Sequence, residues 1–459
     1  MDNLDHVKFL ANPLVVPQTV DTDFGRQPVD RNKFISGIEA KGNDPSFYHL
    51  WKNELSINHE LRHQYLESHN ANKLNGDWLY LGVQVPHFGH LLAESMHRTW
   101  AWGNLKSKVQ GVIVLTHPNA PIIDEWPPHT IALFDFLNIP LKHVVCINHL
   151  TEVEGLYVPE QGACLSGNVQ RWYNDKILDF PFLQEINKST PIKKLYVSRS
   201  NYRHKGRVAG LAALEELLIE DGYTIIKPET LPILEQLTMV HNAEKIIFEE
   251  GSAIHLLEML PRQTGQVFYI TRRPNVKNFL ILLSQKYDHV FSYGNVVVER
   301  FSGIRPNSSI SYLNDPNALL KQLQDNHFLT SEDTQLITNF SKHFLRKEKL
   351  DNSHYFKKNE INKDTVEKYL ARYEIMCILR VNKFFAIARI MFDGFVSFRR
   401  LPKQVSDIIK TKFSDLIPHE HKQVIAQCLV VLADRNNNGY SDEERFQMKK
   451  LAKKLSVSD

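Results

Sequence analysis

The chain has 459 residues, and at about 100 to 200 residues per domain this length predicts two or three folded domains. With 42% hydrophobic and 23% charged residues, it is not a collagen-like, low-complexity or largely disordered protein. The net charge of +3 hides an asymmetry, because residues 341–459 carry 24 basic and 15 acidic side chains, or +9, and residues 1–340 carry −6.

The beginning of the chain and its cysteines indicate a cytoplasmic protein. Asp2 and Asp5 stand where a secretory signal needs basic residues. No segment approaches the roughly 18 uninterrupted apolar residues of a membrane-spanning helix. The four cysteines lack Cys-x-x-Cys spacing, so neither a disulfide framework nor a thiolate zinc site is expected.

Three short apolar runs predict buried strands in the first part of the chain, at residues 78–81, 112–115 and 144–147. Between the first two, residues 90–102 predict a helix with one apolar face and one polar face. Residues 1–185 are expected to form one Rossmann-like domain.

A clearer alternation follows in residues 190–332. Strands are predicted at 195–198, 223–226, 245–248 and 266–270, and helices at 209–219, 231–241 and 253–260. Strands that alternate with helices of this length indicate a parallel sheet covered on both faces. The predicted fold class is therefore α/β, with two doubly wound domains that face one cleft.

From residue 333 the strand signals stop, and residues 333–459 predict an appended basic helical region with helices at 366–395 and 418–433. Its charge favours an anionic partner, which is a membrane surface, an acidic glycan or nucleic acid, unless the lysines form only a solvated surface. A membrane surface ranks above nucleic acid, because an amphipathic basic helix suits an anionic leaflet. The aromatic residues of this region have the spacing of a helical core, which speaks against nucleic acid. Residues 434–444 imitate a calcium loop, but Arg445 stands where the bidentate glutamate belongs.

The first group of candidate site residues lies on the predicted helix. His90, Glu94 and Arg98 follow at intervals of four and can project from one face, with His87 just before them. Histidine and carboxylate side chains supply general bases whose pKa the protein can tune. The alternatives are an ordinary Glu94–Arg98 pair on an exposed face, or a metal site that adds His97, although the spacing is not that of a zinc helix.

The second group follows two strands of the later sheet. Arg199 and Arg207 come after the strand at 195–198, where open α/β sheets bind ligands and where arginine suits a phosphate. Residues 250–253 lead from a strand into a helix through small side chains, Glu250, Gly251, Ser252 and Ala253. Small residues and helix N–H groups favour the approach of an anion such as a diphosphate. Many β-α turns that bind no ligand also contain Gly-Ser as a helix cap.

Taken in order, these segments resemble the glycosyltransferase family 61 proteins, especially the bacterial branch of capsule and surface-polysaccharide enzymes. Residues 87–94 (HFGHLLAE), followed by Arg98 and Trp100, are similar to the family's Gly-His-Phe-Leu-x-Glu stretch. Residues 196–199 (YVSR) and 250–253 (EGSA) are similar to its later motifs. Two departures stand out: Glu250 replaces a frequent histidine, and His255 replaces a frequent asparagine.

The resemblance implies a GT-B fold, with residues 1–185 as the acceptor-side domain and residues 190–332 as the nucleotide-sugar-binding domain. It also implies an inverting transfer of a sugar from a nucleotide sugar to a glycan or lipid-linked glycan acceptor. It implies no obligatory metal or other cofactor. Either Glu94 or His90 would be the base, with the other residue orienting it, and His87 and Arg98 would support the acceptor. The donor would meet Arg199, Arg207, Glu250 and the backbone of residues 251–253. The alternative is a catalytically silent protein of the same fold that binds glycans or nucleotide sugars.

Overall fold

A computed structural model describes residues 5–18, 35–40, 47–48, 50–51, 54–55, 57–84, 87–116, 123–165, 169–202, 206–273, 277–299, 308–330 and 334–361, with residues 366, 446, 449, 450 and 453. The predicted helices at 366–395 and 418–433 and the calcium-like loop at 434–444 therefore lie outside the described residues, apart from residue 366. The chain divides into two compact units. The first is 1–201, 215–294 and 325–330, and the second is 202–214, 295–324 and 331–459.

The strands of the described residues are numbered in chain order. They are β1 (Val7–Ala11), β2 (Leu14–Val16), β3 (Gly37–Glu39), β4 (Leu50–Trp51), β5 (Glu54–Leu55), β6 (Asn72–Val83), β7 (Gly111–Leu115), β8 (Val144–Ile147), β9 (Thr151–Pro159), β10 (Ile192–Val197), β11 (Thr224–Ile226), β12 (Ala243–Glu249), β13 (Gln266–Ile270), β14 (His289–Tyr293), β15 (Val296–Glu299) and β16 (Ile310–Leu313).

The α-helices of the described residues are numbered in the same way. They are α1 (His59–Ser68), α2 (Phe88–His90), α3 (Trp102–Leu105), α4 (Pro128–Phe136), α5 (Arg171–Leu178), α6 (Pro181–Ile186), α7 (Ala212–Glu220), α8 (Ile233–His241), α9 (Lys277–Lys286), α10 (Pro316–Asp325) and α11 (Thr334–Lys358).

The first unit contains a seven-stranded mixed sheet in the order β3-β2-β9-β6-β7-β8, with β1 also paired to β9. β9, β6, β7 and β8 are parallel, whereas β1 and β2 run antiparallel to β9. The predicted strands at 78–81, 112–115 and 144–147 are confirmed as parts of β6, β7 and β8.

The same unit contains a five-stranded parallel sheet in the order β11-β10-β12-β13-β14. Its three middle strands bury nearly continuous apolar runs, as expected for a parallel sheet that is covered on both faces. The strand order reverses between β10 and β12, and ligands of open α/β sheets bind beyond the carboxyl ends of the strands at such a point. The fold places Arg199 and Gly251 just beyond those two strand ends.

The two sheets of the first unit share one hydrophobic core. Leu79 and Val112 of the mixed sheet belong to the same buried cluster as Val197, Phe248 and Tyr269 of the parallel sheet. Mixed α/β architecture is thus confirmed, whereas the division into domains at 185 and 332 stays a prediction.

The second unit pairs β15 with β16 in antiparallel register. Tyr312 of β16 donates from its hydroxyl group to Oδ1 of Asn352 on α11, at 2.6 Å. Tyr355 of α11 donates to the carbonyl of Ser308 at 2.7 Å. Buried tyrosines with satisfied hydroxyl groups hold α11 on this strand pair.

Candidate active site

The segment after β6 carries the first group of site residues, and the prediction of a regular helix over residues 90–102 is wrong. The segment begins as the single turn α2 and widens to a π-helical turn at Leu91–Ser95. A 3₁₀ turn at Thr99–Ala101 then leads into α3. The N–H of Met96 donates to the carbonyl of Leu91 at 3.1 Å, which is the five-residue spacing of a π-turn.

The helix is interrupted because side chains at its end bind carbonyl groups elsewhere in the first unit. Nδ1 of His97 lies 2.6 Å from the carbonyl oxygen of Ala163. The guanidinium group of Arg98 donates to the carbonyl of Pro159 and, at 3.0 Å, to that of Tyr48. These contacts hold the segment against the end of β9, and they are incompatible with a regular α-helix over residues 90–102.

Arg98 therefore lies in the interior. Its guanidinium carbon is 5.1 Å from the centre of the Tyr80 ring, and its side chain packs against Gly82. Burial lowers the pKa of Arg98 to about 10, against the opposing charges of Tyr80 and Glu160. The predicted role of Arg98 in supporting the acceptor stays a prediction, since these contacts hold the backbone.

His90 and Glu94 form a close pair at the π-helical turn. Nδ1 of His90 lies 2.5 Å from Oε1 of Glu94. The His90 side chain is 40% exposed and that of Glu94 only 3%. A buried carboxylate that holds one imidazole nitrogen leaves the other nitrogen able to act as a base. His87 lies beside the pair, with its ring centre 5.3 Å from that of His90.

At the strand reversal of the parallel sheet, Arg199 lies across Gly251. A Cβ atom on Gly251 would fall 2.2 Å from a terminal nitrogen of Arg199 and 2.9 Å from its Cδ. Gly251 has an extended backbone with φ −171°, which any residue adopts, so the glycine is needed for space. The position of the Arg199 side chain after β10 therefore depends on the absence of a side chain at Gly251 after β12.

Glu250, next to Gly251, binds the loop that follows β13. Its Oε2 accepts from the N–H groups of Arg272 and Arg273, at 2.8 and 3.2 Å. Its Oε1 accepts from Nε of Arg273 at 2.5 Å and lies 3.6 Å from Nε of Arg272. Contacts of this kind to a fully buried carboxylate are charge-assisted and short. The donor-binding role that the sequence predicted for Glu250 stays a prediction. In the structure, the Glu250 carboxylate binds Arg272 and Arg273.

Arg199, Arg272 and Arg273 are close enough to influence one another. Burial lowers the pKa of Arg272 to about 10; the charge of Glu250 opposes this, whereas Arg273 and Arg199 lower it further. Three guanidinium groups around one carboxylate leave net positive charge. Arg273 is the more accessible of the loop pair, at 33% exposure against 10% for Arg272.

The two groups of site residues meet at Gly89. A Cβ atom there would lie 2.9 Å from Oγ of Ser252 and 3.4 Å from Cδ2 of His255. Ser252 and Ala253 begin a 3₁₀ helix, Ser252–Met259, and both are half-buried. The glycine of the first motif therefore allows α2 to pack directly on the helix that follows Gly251.

Residues 88–267 match the model of the Glycosyltransferase 61 family. The match covers about two fifths of the chain, from α2 into β13. It supports, at the level of the family, the resemblance seen in the sequence, and it supports a glycosyl transfer function. No curated protein matches the chain.

Arg207 lies outside the first unit, although the glycosyltransferase 61 match includes it. In the second unit its NH2 group lies 2.5 Å from Oδ2 of Asp351, which also accepts from the N–H of Gly210 at 2.9 Å. Both side chains are buried. The role of Arg207 in donor binding stays a prediction, and residues 203–205 of the same basic loop lie outside the described residues.

Two features of the candidate site were missed in the sequence. Arg272 and Arg273 follow β13 as Arg199 follows β10, so the rule that pointed to Arg199 also points to them. A buried chain of His97, Glu258 and His255 gave no such signal, because His97 is far in sequence from the other two residues.

In the part of the chain that the structure describes, histidine, cysteine and acidic side chains form no group of three or more suited to a metal ion. His87, His90, Glu94 and His97 are thus not brought together as a ligand set. No helix among the described residues is long and apolar enough to cross a membrane.

Proposed function

We propose that the protein is an inverting glycosyltransferase, which moves a sugar from a nucleotide-sugar donor to a glycan or lipid-linked glycan acceptor in bacterial capsule or surface-polysaccharide synthesis. One observation carries this proposal. An exposed histidine backed by a buried carboxylate and a cluster of three arginines lie on segments that touch at Gly89 and Ser252. A base on one side and a cationic cradle on the other are what displacement of a sugar from a diphosphate requires.

The arginine cluster supports the donor side. Arg199 and Arg273 are accessible enough to donate to phosphate oxygens, and Arg272 lies behind them. N–H groups at the start of the Ser252–Met259 helix would add donors for the same anion. This positive charge offsets the charge that develops on the departing diphosphate, which is why we expect no obligatory metal or other cofactor.

The exposure of His90 supports its role as the base, with Glu94 as the residue that orients it. Nε2 of His90 accepts the proton of an acceptor hydroxyl group, whose oxygen attacks the anomeric carbon. The bond from that carbon to the diphosphate oxygen breaks, and its electron pair leaves with the diphosphate. Attack from the face opposite the leaving group inverts the configuration.

The two sheets of the first unit are our candidates for the two halves of a GT-B fold. The basic residues 341–459 are our candidate for peripheral contact with an anionic leaflet at the cytoplasmic face. Co-sedimentation with anionic liposomes tests this contact. Equal binding by the full chain and by a version that ends at residue 339 would contradict it.

The test of the transferase is a panel of nucleotide sugars, with and without acceptor glycans, in the presence of EDTA. We expect one donor to bind and to be consumed by the wild type. Arg199→Ala and Arg273→Ala should each weaken donor binding about 10- to 100-fold, since a hydrogen bond to a charged group contributes about 1.5 to 3 kcal/mol. Arg262→Ala is the matched control, because Arg262 is exposed and pairs with Asp288.

His90→Asn should keep donor affinity and lose about 10²- to 10⁴-fold in turnover, as for loss of a general base. His63→Asn is its control, because His63 forms an exposed pair with Glu67 at the same spacing of four residues. Binding without turnover by the wild type, whatever the acceptor, would favour the catalytically silent binding protein. Activity only with a divalent ion would contradict the metal-independent mechanism.

A further inference from the structure

A buried chain of three titratable side chains links the segment after the π-helical turn, at His97, to the Ser252–Met259 helix. Oε1 of Glu258 lies 2.6 Å from Nδ1 of His255, and Oε2 lies 2.6 Å from Nε2 of His97. The second contact is an ion pair in which the N–H does not point straight at the oxygen. The mechanism proposed above uses none of these groups.

The contacts of Glu258 fix where the protons lie. Burial raises the pKa of Glu258, but the charge of His97 and the hydrogen bonds from His255 and His97 outweigh this and lower that pKa to about 2. Glu258 is therefore a carboxylate and only accepts hydrogen bonds. Nδ1 of His255, which faces it, must carry a proton.

His97 already supplies the countercharge for Glu258. Its Nδ1 faces the carbonyl oxygen of Ala163 and its Nε2 faces Glu258, both at 2.6 Å. Two acceptors around one imidazole require both nitrogens to be protonated. Lys286 is also buried near Glu258, and burial lowers its pKa to about 7 against the opposing effect of that carboxylate. His97 alone balances the charge of Glu258, so no second histidine cation is required here, and the tautomer with a proton on Nδ1 and a bare Nε2 satisfies the contact of His255 with Glu258.

That nitrogen lies where the two candidate segments meet. Cδ2 of His255, which is bonded to Nε2, is 3.4 Å from the position of a Cβ atom on Gly89. The described part of the chain supplies no hydrogen-bond partner for Nε2. The His255 side chain keeps 9% of its surface exposed, compared with 1% for His97. A lone pair in this position needs a donor, and sugar hydroxyl groups are donors.

We propose that Nε2 of His255 accepts a hydrogen bond from a hydroxyl group of the sugar substrate, and that Glu258 is the positioning residue that holds His255 in the required tautomer. The proposal rests on the transferase function proposed above for the substrate, but the tautomer is a property of the free protein. The two parts are therefore tested separately.

The tautomer is tested by side-chain nitrogen NMR on protein labelled with ¹⁵N at histidine. Several neutral histidines can show a protonated Nδ1 and a bare Nε2, among them His90, whose Nδ1 also faces a carboxylate, and one of them should be His255. Its signals should vanish in His255→Asn and change in Glu258→Gln, while Glu249→Gln should leave them in place. Glu249 is the matched control because it is a buried carboxylate that accepts from the Tyr196 hydroxyl at 2.7 Å. A protonated Nε2 on His255 would overturn the proposal.

The substrate contact is tested by steady-state kinetics with the donor and acceptor that the nucleotide-sugar panel identifies. His255→Asn and Glu258→Gln should raise KM about 3- to 10-fold for one of the two substrates, with a smaller effect on kcat, as expected for one neutral hydrogen bond. His255→Gln should retain most of the affinity, because the glutamine oxygen reaches the position of Nε2, whereas the asparagine side chain reaches only that of Nδ1. A merely structural role would not separate these two substitutions.

Unchanged KM values in His255→Asn, or equal losses in the asparagine and glutamine variants, would overturn the hydroxyl contact. If the wild type binds no nucleotide sugar, the transferase proposal fails and the hydroxyl contact fails with it. The nitrogen spectrum still decides the tautomer in that case.

Discussion

Replacing Gly251 by alanine is expected to displace Arg199 without unfolding the protein. The new Cβ atom would fall 2.2 Å from a terminal nitrogen of Arg199, 2.9 Å from its Cδ and 3.0 Å from its Cζ. The three atoms closest to it all belong to one flexible, half-buried side chain. The extended backbone of Gly251 accepts alanine without strain.

The magnitude follows from the clash. Ordinary contacts between heavy atoms are about 3.5 to 4 Å, so the guanidinium group must move by more than about 1 Å. A shift of this size removes one hydrogen bond to a phosphate, or about 1.5 to 3 kcal/mol. Gly251→Ala should therefore weaken donor binding about 10- to 100-fold.

Titration calorimetry with the donor measures this effect in Gly251→Ala, Arg199→Ala and the double variant. If the alanine acts by displacing Arg199, the double variant binds no more weakly than Arg199→Ala alone. Gly103→Ala is the control, because nothing lies within 4 Å of a Cβ atom at Gly103. Wild-type affinity in Gly251→Ala, or additive losses in the double variant, would refute the reasoning.

Three further outcomes are expected. Gly89→Ala should lower turnover with little change in melting temperature, because its Cβ atom at 2.9 Å from Oγ of Ser252 forces α2 away from the neighbouring helix by a few tenths of an ångström; normal turnover would contradict this. Arg207→Ala should destabilise the second unit by about 3 to 5 kcal/mol, because it leaves Asp351 buried and unpaired, and hydrogen exchange along α11 measures the loss. The lowered pKa of Glu258 stabilises the fold fully above about pH 4.5, and this stabilisation is lost as the pH falls towards 2. The unfolding free energy of Glu258→Gln should lack this acid dependence. Denaturant titrations of both proteins at pH 3 and 6 measure the difference.

The strands that the sequence predicted correctly are continuous apolar runs, and the reason is physical. A parallel strand that is buried on both faces needs apolar side chains at every position, as in residues 245–248 and 266–270. β9 was not predicted, since its sequence TEVEGLYVP carries two glutamates and a glycine. It accepts them because only part of the strand is covered on both faces, and its burial depends on β6, far away in sequence.

The prediction of a regular helix at residues 90–102 was wrong for a related reason. Its apolar spacing is helical, and the buried residues of the segment do face the core. The π-helical turn is imposed by contacts of His97 and Arg98 with carbonyl groups on and beyond β9. Local sequence carries no information about those carbonyl groups.

The sequence alone determined the alternation of strands and helices, the motifs at the carboxyl ends of β6, β10 and β12, and the importance of His90, Glu94 and Arg199 as candidates. These are local properties, because apolar period and strand-end position are set by neighbouring residues. The tertiary structure decided which charges meet. It bound Arg272 and Arg273 to Glu250 near Arg199, paired Arg207 with Asp351, and linked His97 to His255 through Glu258. Such pairs form between elements that only the folded chain brings within a few ångströms. Because they are buried, loss of either partner leaves an uncompensated charge in the interior.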